Sequence, residues 1–469
     1  MAVKYKAFTL PVILGIVIWL ASPLRPAGIS LVAWHLLALF LATIVACITQ
    51  PLPLAGVAIV GLTLLLVLRI APIETAIQAF GNKTVWLIAM AYMISRGFSK
   101  TGLGQRWALW FVKLFGKKTL GLAYAIEGID LVTAPATPSN TARAGGIIYP
   151  IIKSLSETFG STPKQHTERD IGAYLIFTEF HANTVTSAMF MTAMAPNLIA
   201  LGLAASFGIK ISWFGWFLAA LVPGIICLIT VPYLIYRLYP PKIKETPDAR
   251  DWAQRELTKM GPMQLREKLM MGIFVLALVL WIFSGMLGLD ATVVAFIAVA
   301  LLLLTGVLTA QDVLQETGAW NVVVWFSILI FMANQLNQLG FIPWLSHVIS
   351  HQLSGLNWLV VLLILVVVYF YSHYLFASQA AHVTAMYSAL LGVALAAGVP
   401  HLLAALLLAL TSAIYASTTQ YANGPASVFF GSGYVQQNDW WRLNFILGLY
   451  YLVIWVGVGL GWMKLIGIW

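Results

Sequence analysis

The stretch Thr133-Ala-Pro-Ala-Thr-Pro-Ser-Asn-Thr-Ala-Arg-Ala-Gly-Gly146 restricts the fold more than any other part of the chain. It is polar and broken by proline, and it lies inside an apolar run. Leu120 to Val132 before it and Ile147 to Ile152 after it are apolar but short. At about 1.5 Å per residue, neither arm crosses a hydrocarbon layer of about 30 Å. Pro135 and Pro138 end the first arm, because proline lacks the N–H that helix continuation needs. Gly145 and Gly146 loosen the start of the second. The spacing predicts a re-entrant hairpin over residues 120–155, with Ser139, Asn140 and Thr141 at a tip near the midplane. Irregular backbone at that depth is tolerated where protein buries it or where it lines a cavity. Paired broken segments of this kind mark transporter binding sites.

The chain around this stretch is 61% hydrophobic and only 9% charged, against roughly 25% charged in a soluble domain. Its apolar runs are long and continuous, unlike the alternating segments of about ten residues in a membrane barrel. The fold class is therefore an all-α polytopic membrane protein. Cys47 and Cys227 sit in apolar runs and read as small core residues, so neither a disulfide framework nor a metal site is expected. The sequence shows no nucleophile–base triad, phosphate-binding glycine loop or nucleotide domain. That excludes an enzyme and a primary pump, and no cofactor is expected. Met1 to Lys6 precedes the first apolar run without a small-residue cleavage site and reads as the lead into an uncleaved span.

The net charge is +10, and every Lys and Arg except Arg442 and Lys464 lies in the first 268 residues. They cluster at 96–118, 153–169 and 237–268. By the positive-inside rule these segments and the N-terminus face the cytoplasm of a plasma or bacterial inner membrane. Because the charge lies in short loops between spans, it does not speak for nucleic acid.

In chain order, apolar spans are expected at 8–20, 29–48, 52–67 and 84–94. An amphipathic surface segment follows at 102–118, then the hairpin, and then a helix over 171–203 interrupted by polar residues and by Pro196. A further span covers 213–236. Residues 237–268 form a polar cytoplasmic linker between an N-terminal half (1–236) and a C-terminal half (269–469). The second half repeats the first. Spans at 270–287, 292–308 and 322–339 lead to a short aromatic segment and a second hairpin over 358–397. An apolar run broken at Ser417-Thr-Thr-Gln-Tyr-Ala-Asn-Gly-Pro425 and a last span at 442–462 complete the chain. One copy is crowded with basic residues and the other lacks them, which predicts two repeats inverted in the membrane, with scaffold and transport parts interleaved in sequence.

Four polar interruptions then converge: Ser139-Asn140-Thr141, Pro196-Asn197, Ser378 to Thr384, and Asn423-Gly-Pro425. Half-helix N-termini bring unpaired N–H groups and the positive end of the helix dipole into the gap. Hydroxyls and amides of Ser139, Asn140, Thr141, Asn197, Ser378, Thr384 and Asn423 add neutral donors. Such a pocket suits carboxylates; the alternative is that these side chains only cap broken helices. Arg143 lies just past the tip, where a charge costs ~2.5–3.5 kcal/mol or more. It must face either a substrate anion or an acid such as Glu127 or Asp130. His382 holds the matching place in the second hairpin, as a ligand or as a hydrogen-bonded core group. Glu179 and His181 form either a proton relay or a helix-packing contact.

At these residues the chain resembles the divalent-anion:sodium symporter (DASS) family. It is most similar to the branch of bacterial citrate/succinate and tartrate/succinate antiporters and chloroplast 2-oxoglutarate/malate translocators. The resemblance rests on Thr137-Pro-Ser-Asn-Thr-Ala-Arg143, Tyr374-Leu-Phe-Ala-Ser378 with His382, and Tyr421-Ala-Asn-Gly-Pro425 with Gly431. It implies a homodimer in membrane lipid, with two hairpins holding a di- or tricarboxylate anion in an elevator-type carrier. It also implies that Ser139, Asn140 and Thr141 contact a substrate carboxylate. Where sodium-coupled members carry a second Ser-Asn-Thr, this chain has Ala381-His382-Val383. Their glycine-rich turn before Pro-Asn is here Met191-Thr-Ala-Met-Ala195. Both departures remove what a hard cation wants. The expected activity is sodium-independent exchange of malate, succinate, fumarate, 2-oxoglutarate or citrate. Arg143 and His382 supply fixed positive charge in place of a coupling cation, so that only the loaded carrier crosses readily. A sodium- or proton-coupled symporter is the alternative within the class, and an anion channel or receptor-like membrane protein the alternative outside it.

Overall fold

The computed structural model describes residues 4–352 and 355–469, so the first three residues of the basic N-terminal stretch lie outside it. Among the described residues the regular elements are helices, joined by one isolated bridge between Lys118 and Glu245. Six helices among the described residues are long and apolar enough to cross a membrane: Leu31–Thr49, Trp213–Leu238, Thr317–Gln338, Trp358–Leu375, Gln379–Ala396 and Gln437–Leu465. Large apolar side chains such as Ile13, Ile229, Phe296 and Val453 lie exposed on the outer faces. This suits lipid as the solvent for a multi-pass membrane protein.

The two halves carry the same order of elements. In the first, Lys83–Thr101 and Leu103–Phe115 lead to a hairpin of Thr119–Thr133 and a helix starting at Asn140; Gly172–Met189 and Ala195–Ser206 follow. In the second, Thr317–Gln338 and Phe341–Gln352 lead to a hairpin of Trp358–Ser372 and Gln379–Ala396; His401–Ile414 and Gly424–Gly431 follow. The hairpins and broken helices form one packed body. Gly172–Met189 packs on Thr119–Thr133 and on His401–Ile414, and Ala195–Ser206 packs on Gln379–Ala396.

Three expectations change in detail. The hairpin arms are longer than their apolar runs. The polar residues after each tip are already helical, and the helix from Asn140 continues through wider i→i+5 turns at Arg143–Ile148 into Tyr149–Thr158. Both arms of the second hairpin are long enough to span a membrane by length and composition. The polar run Thr178 to Thr184 does not interrupt its helix, because Thr184 Oγ1 donates back to the Phe180 carbonyl at 3.0 Å and the ladder continues to Met189. The break falls instead at Phe190 to Met194. Residues 237–268 contain a helix, Asp248–Met260, that packs on Leu103–Phe115. Thr246 Oγ1 donates to the Gly116 carbonyl, and Arg106 closes its fork on Glu267 at 2.6 and 3.2 Å.

One side chain fixes the first hairpin. The Arg143 guanidinium is fully buried, and its five N–H donors meet five acceptors from four pieces of chain. Nε donates to Asp130 Oδ1 at 2.7 Å on the preceding arm. Nη1 donates to the carbonyls of Thr137 in the tip loop and Ala193 in the helix break, both at 3.0 Å. Nη2 donates to Ser187 Oγ at 3.0 Å and Thr186 Oγ1 at 3.4 Å on the broken helix. Asp130 takes further donors from Asn183 Nδ2 and Thr186 Oγ1. A buried pair this well bonded keeps its geometry, and removing one member leaves the other charge stranded.

Asp130→Ala or Arg143→Ala is expected to cost about 3–5 kcal/mol, seen as a lowered thermal midpoint of the detergent-solubilised protein. Asp130→Leu/Arg143→Met, which strands no charge, is expected to recover part of that loss. Single variants that melt with the wild type would show that the pair does not hold the hairpin.

Candidate functional site

Four helices start at one place. Asn140, Ala195, Gln379 and Gly424 are the first residues of their helices, and all four line a single cavity of about 320 Å³. Local chemistry sets each start. Ser139 Oγ accepts from Ala142 N at 3.1 Å, Ser378 Oγ from Ala381 N at 3.3 Å, and Asn423 Oδ1 from Ala426 N at 2.8 Å. Pro196 sits in the first turn of the fourth helix and Pro425 in the first turn of the helix that Asn423 caps, where their missing N–H costs nothing. Each cap spends one acceptor and leaves donors. The Ser139 and Ser378 hydroxyl protons, the Asn423 amide and the earliest N–H groups of each helix have no intrahelical use.

The cavity is lined by neutral groups throughout. Among the described residues, neither the Asn140 side-chain amide nor the Thr141 hydroxyl bonds to protein, and both residues are at least partly exposed to the cavity. The site therefore presents hydroxyl and amide donors and four positive dipole ends, with no carboxylate among its lining residues. The halves meet without clearance here. A Cβ on Gly424 would lie 2.7–2.8 Å from Thr141 Cγ2 and Cβ and closer still to Thr141 Oγ1.

Five of the seven expected donors line the cavity: Ser139, Asn140, Thr141, Ser378 and Asn423. The other two are turned away. Asn197 is fully buried, with Nδ2 donating to the Ser187 and Phe190 carbonyls at 2.7 and 3.0 Å, and so closes the break in its own helix. Thr384 donates to the Ala380 carbonyl one turn back. Arg143 does not present a free charge to the cavity, because Asp130 meets it. Of the two arrangements left open by the sequence, the acid partner is the one formed. His382 is buried as well. Its Nδ1 lies 2.9 Å from His373 Nδ1, and its Nε2 lies 2.9 Å from Ser372 Oγ. His373 Nε2 reaches the Ala422 carbonyl at 3.0 Å and must carry hydrogen there, so its Nδ1 accepts from His382 when both rings are neutral. Phe376, Tyr369 and Tyr415 enclose the pair. His181 bonds Tyr451 through Nδ1 at 3.0 Å, the packing contact rather than a link to Glu179.

Further lining residues come from outside the four interruptions. Gln50, at the left-handed end of Leu31–Thr49, faces the tips together with Tyr92, Gly318, Asn321 and Trp325 of the two long helices Lys83–Thr101 and Thr317–Gln338. Gln379 shows one edge, while its amide is anchored on the Ser412 carbonyl at 2.7 Å. Gln50 and Asn321 carried a signal, as polar residues beside apolar runs. Tyr92 carried none, since an aromatic residue in a span reads as core.

Known proteins extend this likeness over the whole chain. The family model described as the sodium:sulfate symporter transmembrane region matches residues 2–469. A Bacillus subtilis (strain 168) protein, YflS, provisionally named a malate transporter, is 50% identical over all of this chain and 98% of its own length. Dicarboxylate transporter 1 of spinach (Spinacia oleracea) chloroplasts is 45% identical, covering 99% of this chain and 82% of that protein. The L-tartrate/succinate antiporter of Escherichia coli O6:K15:H31 is 40% identical over 94% of each chain. Among solved structures, the Alcanivorax borkumensis YdaH transporter superposes with a TM-score of 0.58 at 14% identity, covering 83% of this chain and 88% of that one, which is a likeness of fold. The chain is thus a member of the sodium:sulfate symporter family of membrane transporters, the divalent-anion:sodium symporters.

Proposed function

We propose that the protein exchanges di- or tricarboxylates across a plasma or bacterial inner membrane, independently of sodium, by an elevator-type movement in a homodimer. The observation that carries this reading is the cavity where four helix starts and five neutral donor side chains meet with no carboxylate in the lining. It is supported by relatives whose names include dicarboxylate transporter and tartrate/succinate antiporter.

With Arg143 neutralised by Asp130, the pressure towards exchange comes from the helix starts themselves. Without an anion, N–H groups and amide donors at the tips have no acceptor, and carrying them through a low-dielectric barrier is unfavourable. A bound carboxylate satisfies them, so the loaded body moves more readily than the empty one. Sodium has little to hold it at the second tip. The residue four positions after the Ser378 cap is His382, and its ring nitrogens are taken up by Ser372 and His373. The hairpins and broken helices move as one body past the helices that carry Tyr92, Asn321 and Trp325, and the two halves are inverted repeats.

Radiolabelled malate or succinate is expected to enter proteoliposomes only when unlabelled dicarboxylate is inside, equally in sodium and choline buffer. Uptake into empty vesicles driven by a sodium gradient would replace this reading with symport. At the site, hydrogen bonds to a charged ligand are worth about 1.5–3 kcal/mol. Thr141→Val and Asn140→Ala are therefore expected to raise KM roughly ten- to hundredfold in the same assay. Gly424→Ala pushes a methyl group into Thr141 and is expected to lower transport comparably, although it removes no polar atom. Unchanged kinetics in all three would place the substrate elsewhere.

A further inference from the structure

Three arginines inside the helical body differ in how far their donors are committed. Arg143 has used all five. Arg106 is buried, with its fork closed on Glu267 and Nη1 on the Gly261 carbonyl. Arg96 stands apart. Its two contacts, Nε to Asp312 Oδ1 and Nη1 to Glu316 Oε2, are both 3.4 Å long, beyond the usual N–H···O range. Its remaining donors have no partner among the described residues, and 31% of its side chain is exposed.

Its position matters as much as its free donors. Arg96 follows Tyr92 by one helical turn on the same face, and Tyr92 lines the cavity. Glu316 reaches the same wall. A Cβ placed on cavity-lining Gly318 would lie 3.1 Å from Glu316 Oε1 and 3.0 Å from the Tyr92 ring. An acid at the edge of an anion site repels what the site binds, and Arg96 is its one hydrogen-bonding cation among the described residues. Asp312, the other partner, does not depend on Arg96, because Lys100 Nζ, Thr309 N and Thr309 Oγ1 already donate to it.

We propose that Arg96 is the docking cation of the cavity: a carboxylate entering or leaving takes the guanidinium from Glu316, and Glu316 closes on it again once the anion has passed. The proposal rests on the carboxylate reading of the cavity. A guanidinium fork matches a carboxylate with two parallel hydrogen bonds. The pair it must leave is partly exposed and poorly aligned, so little opposes the exchange of partners. Glu316 then acts as an internal competitor that returns the mouth to neutrality and lets the substrate go.

The test is the kinetics of labelled malate exchange in proteoliposomes at fixed ionic strength. Arg96→Gln is expected to raise KM about fivefold or more with the maximal rate within about twofold of wild type, the pattern of a lost rim charge. Arg96→Lys should recover part of it, and Glu316→Gln, which removes the competitor, should lower KM. The opposite sign for Glu316 separates docking from a clamp that only braces the helices. A KM raised by Glu316→Gln, or a reduced maximal rate at unchanged KM for Arg96→Gln, would overturn the proposal while malate exchange by wild type stands. Wild type that exchanges no dicarboxylate would overturn the carboxylate reading and this proposal with it.

Discussion

The site depends on the saturation of one guanidinium. A tip loop carrying two prolines and a broken helix have no regular ladder to hold them, and their carbonyls at Thr137 and Ala193 need donors that the backbone cannot supply. Arg143 supplies both and ties them to Asp130 and to the hydroxyls of Thr186 and Ser187. Charge here serves as structural reach. The pair is neutral overall and lies behind the tip, so it positions Ser139, Asn140 and Thr141 without itself meeting the cavity. The second hairpin solves the same problem with a pair of rings. Four residues past its capping serine it places His382, which bonds His373 and Ser372 inside a ring of aromatic side chains.

With both tips anchored from behind, the cavity in front can be built from neutral donors. Selectivity for anions then comes from direction, because four helices begin there against the one end of Leu31–Thr49 at Gln50. Such a site binds a carboxylate through many modest contacts, each able to break in turn. That suits a carrier, which must release what it binds. The charged groups are held back at the rim, where Arg96, Glu316, Asp312 and Lys100 form a loosely coupled set.

Much of this was legible in the chain itself. Prolines at 135, 138, 196 and 425 within apolar runs located three of the four helix breaks, and Ser378 capped the fourth as its residue type suggests. Arg143 announced itself as a residue too costly to leave unexplained at that depth, and the acid on the preceding arm was visible among its candidate partners. What could not be read was orientation. Asn197 and Asn423 are the same residue type beside the same kind of break, yet one folds back onto the Ser187 and Phe190 carbonyls while the other caps a helix at the cavity. Thr384 lies six residues past the Ser378 cap, on the buried side of its helix. Tyr92 and Trp325 are ordinary aromatic residues of apolar spans until tertiary packing sets them opposite the tips. Periodicity places a residue on a face, but which face meets the cavity is a property of the packed body.

The contact between Thr141 and Gly424 bears on how the protein is made. Every acceptor of Arg143 lies between residues 130 and 193, so the first hairpin can be locked while the second half of the chain is still being synthesised. Gly424 emerges from the ribosome long after those residues, and the cavity has no fourth wall until it docks. A chain interrupted before that point would hold a finished hairpin and an unfinished site, its donors open to the bilayer or to the insertion machinery. Membrane chaperones would therefore meet this protein as a locked first hairpin awaiting its complement.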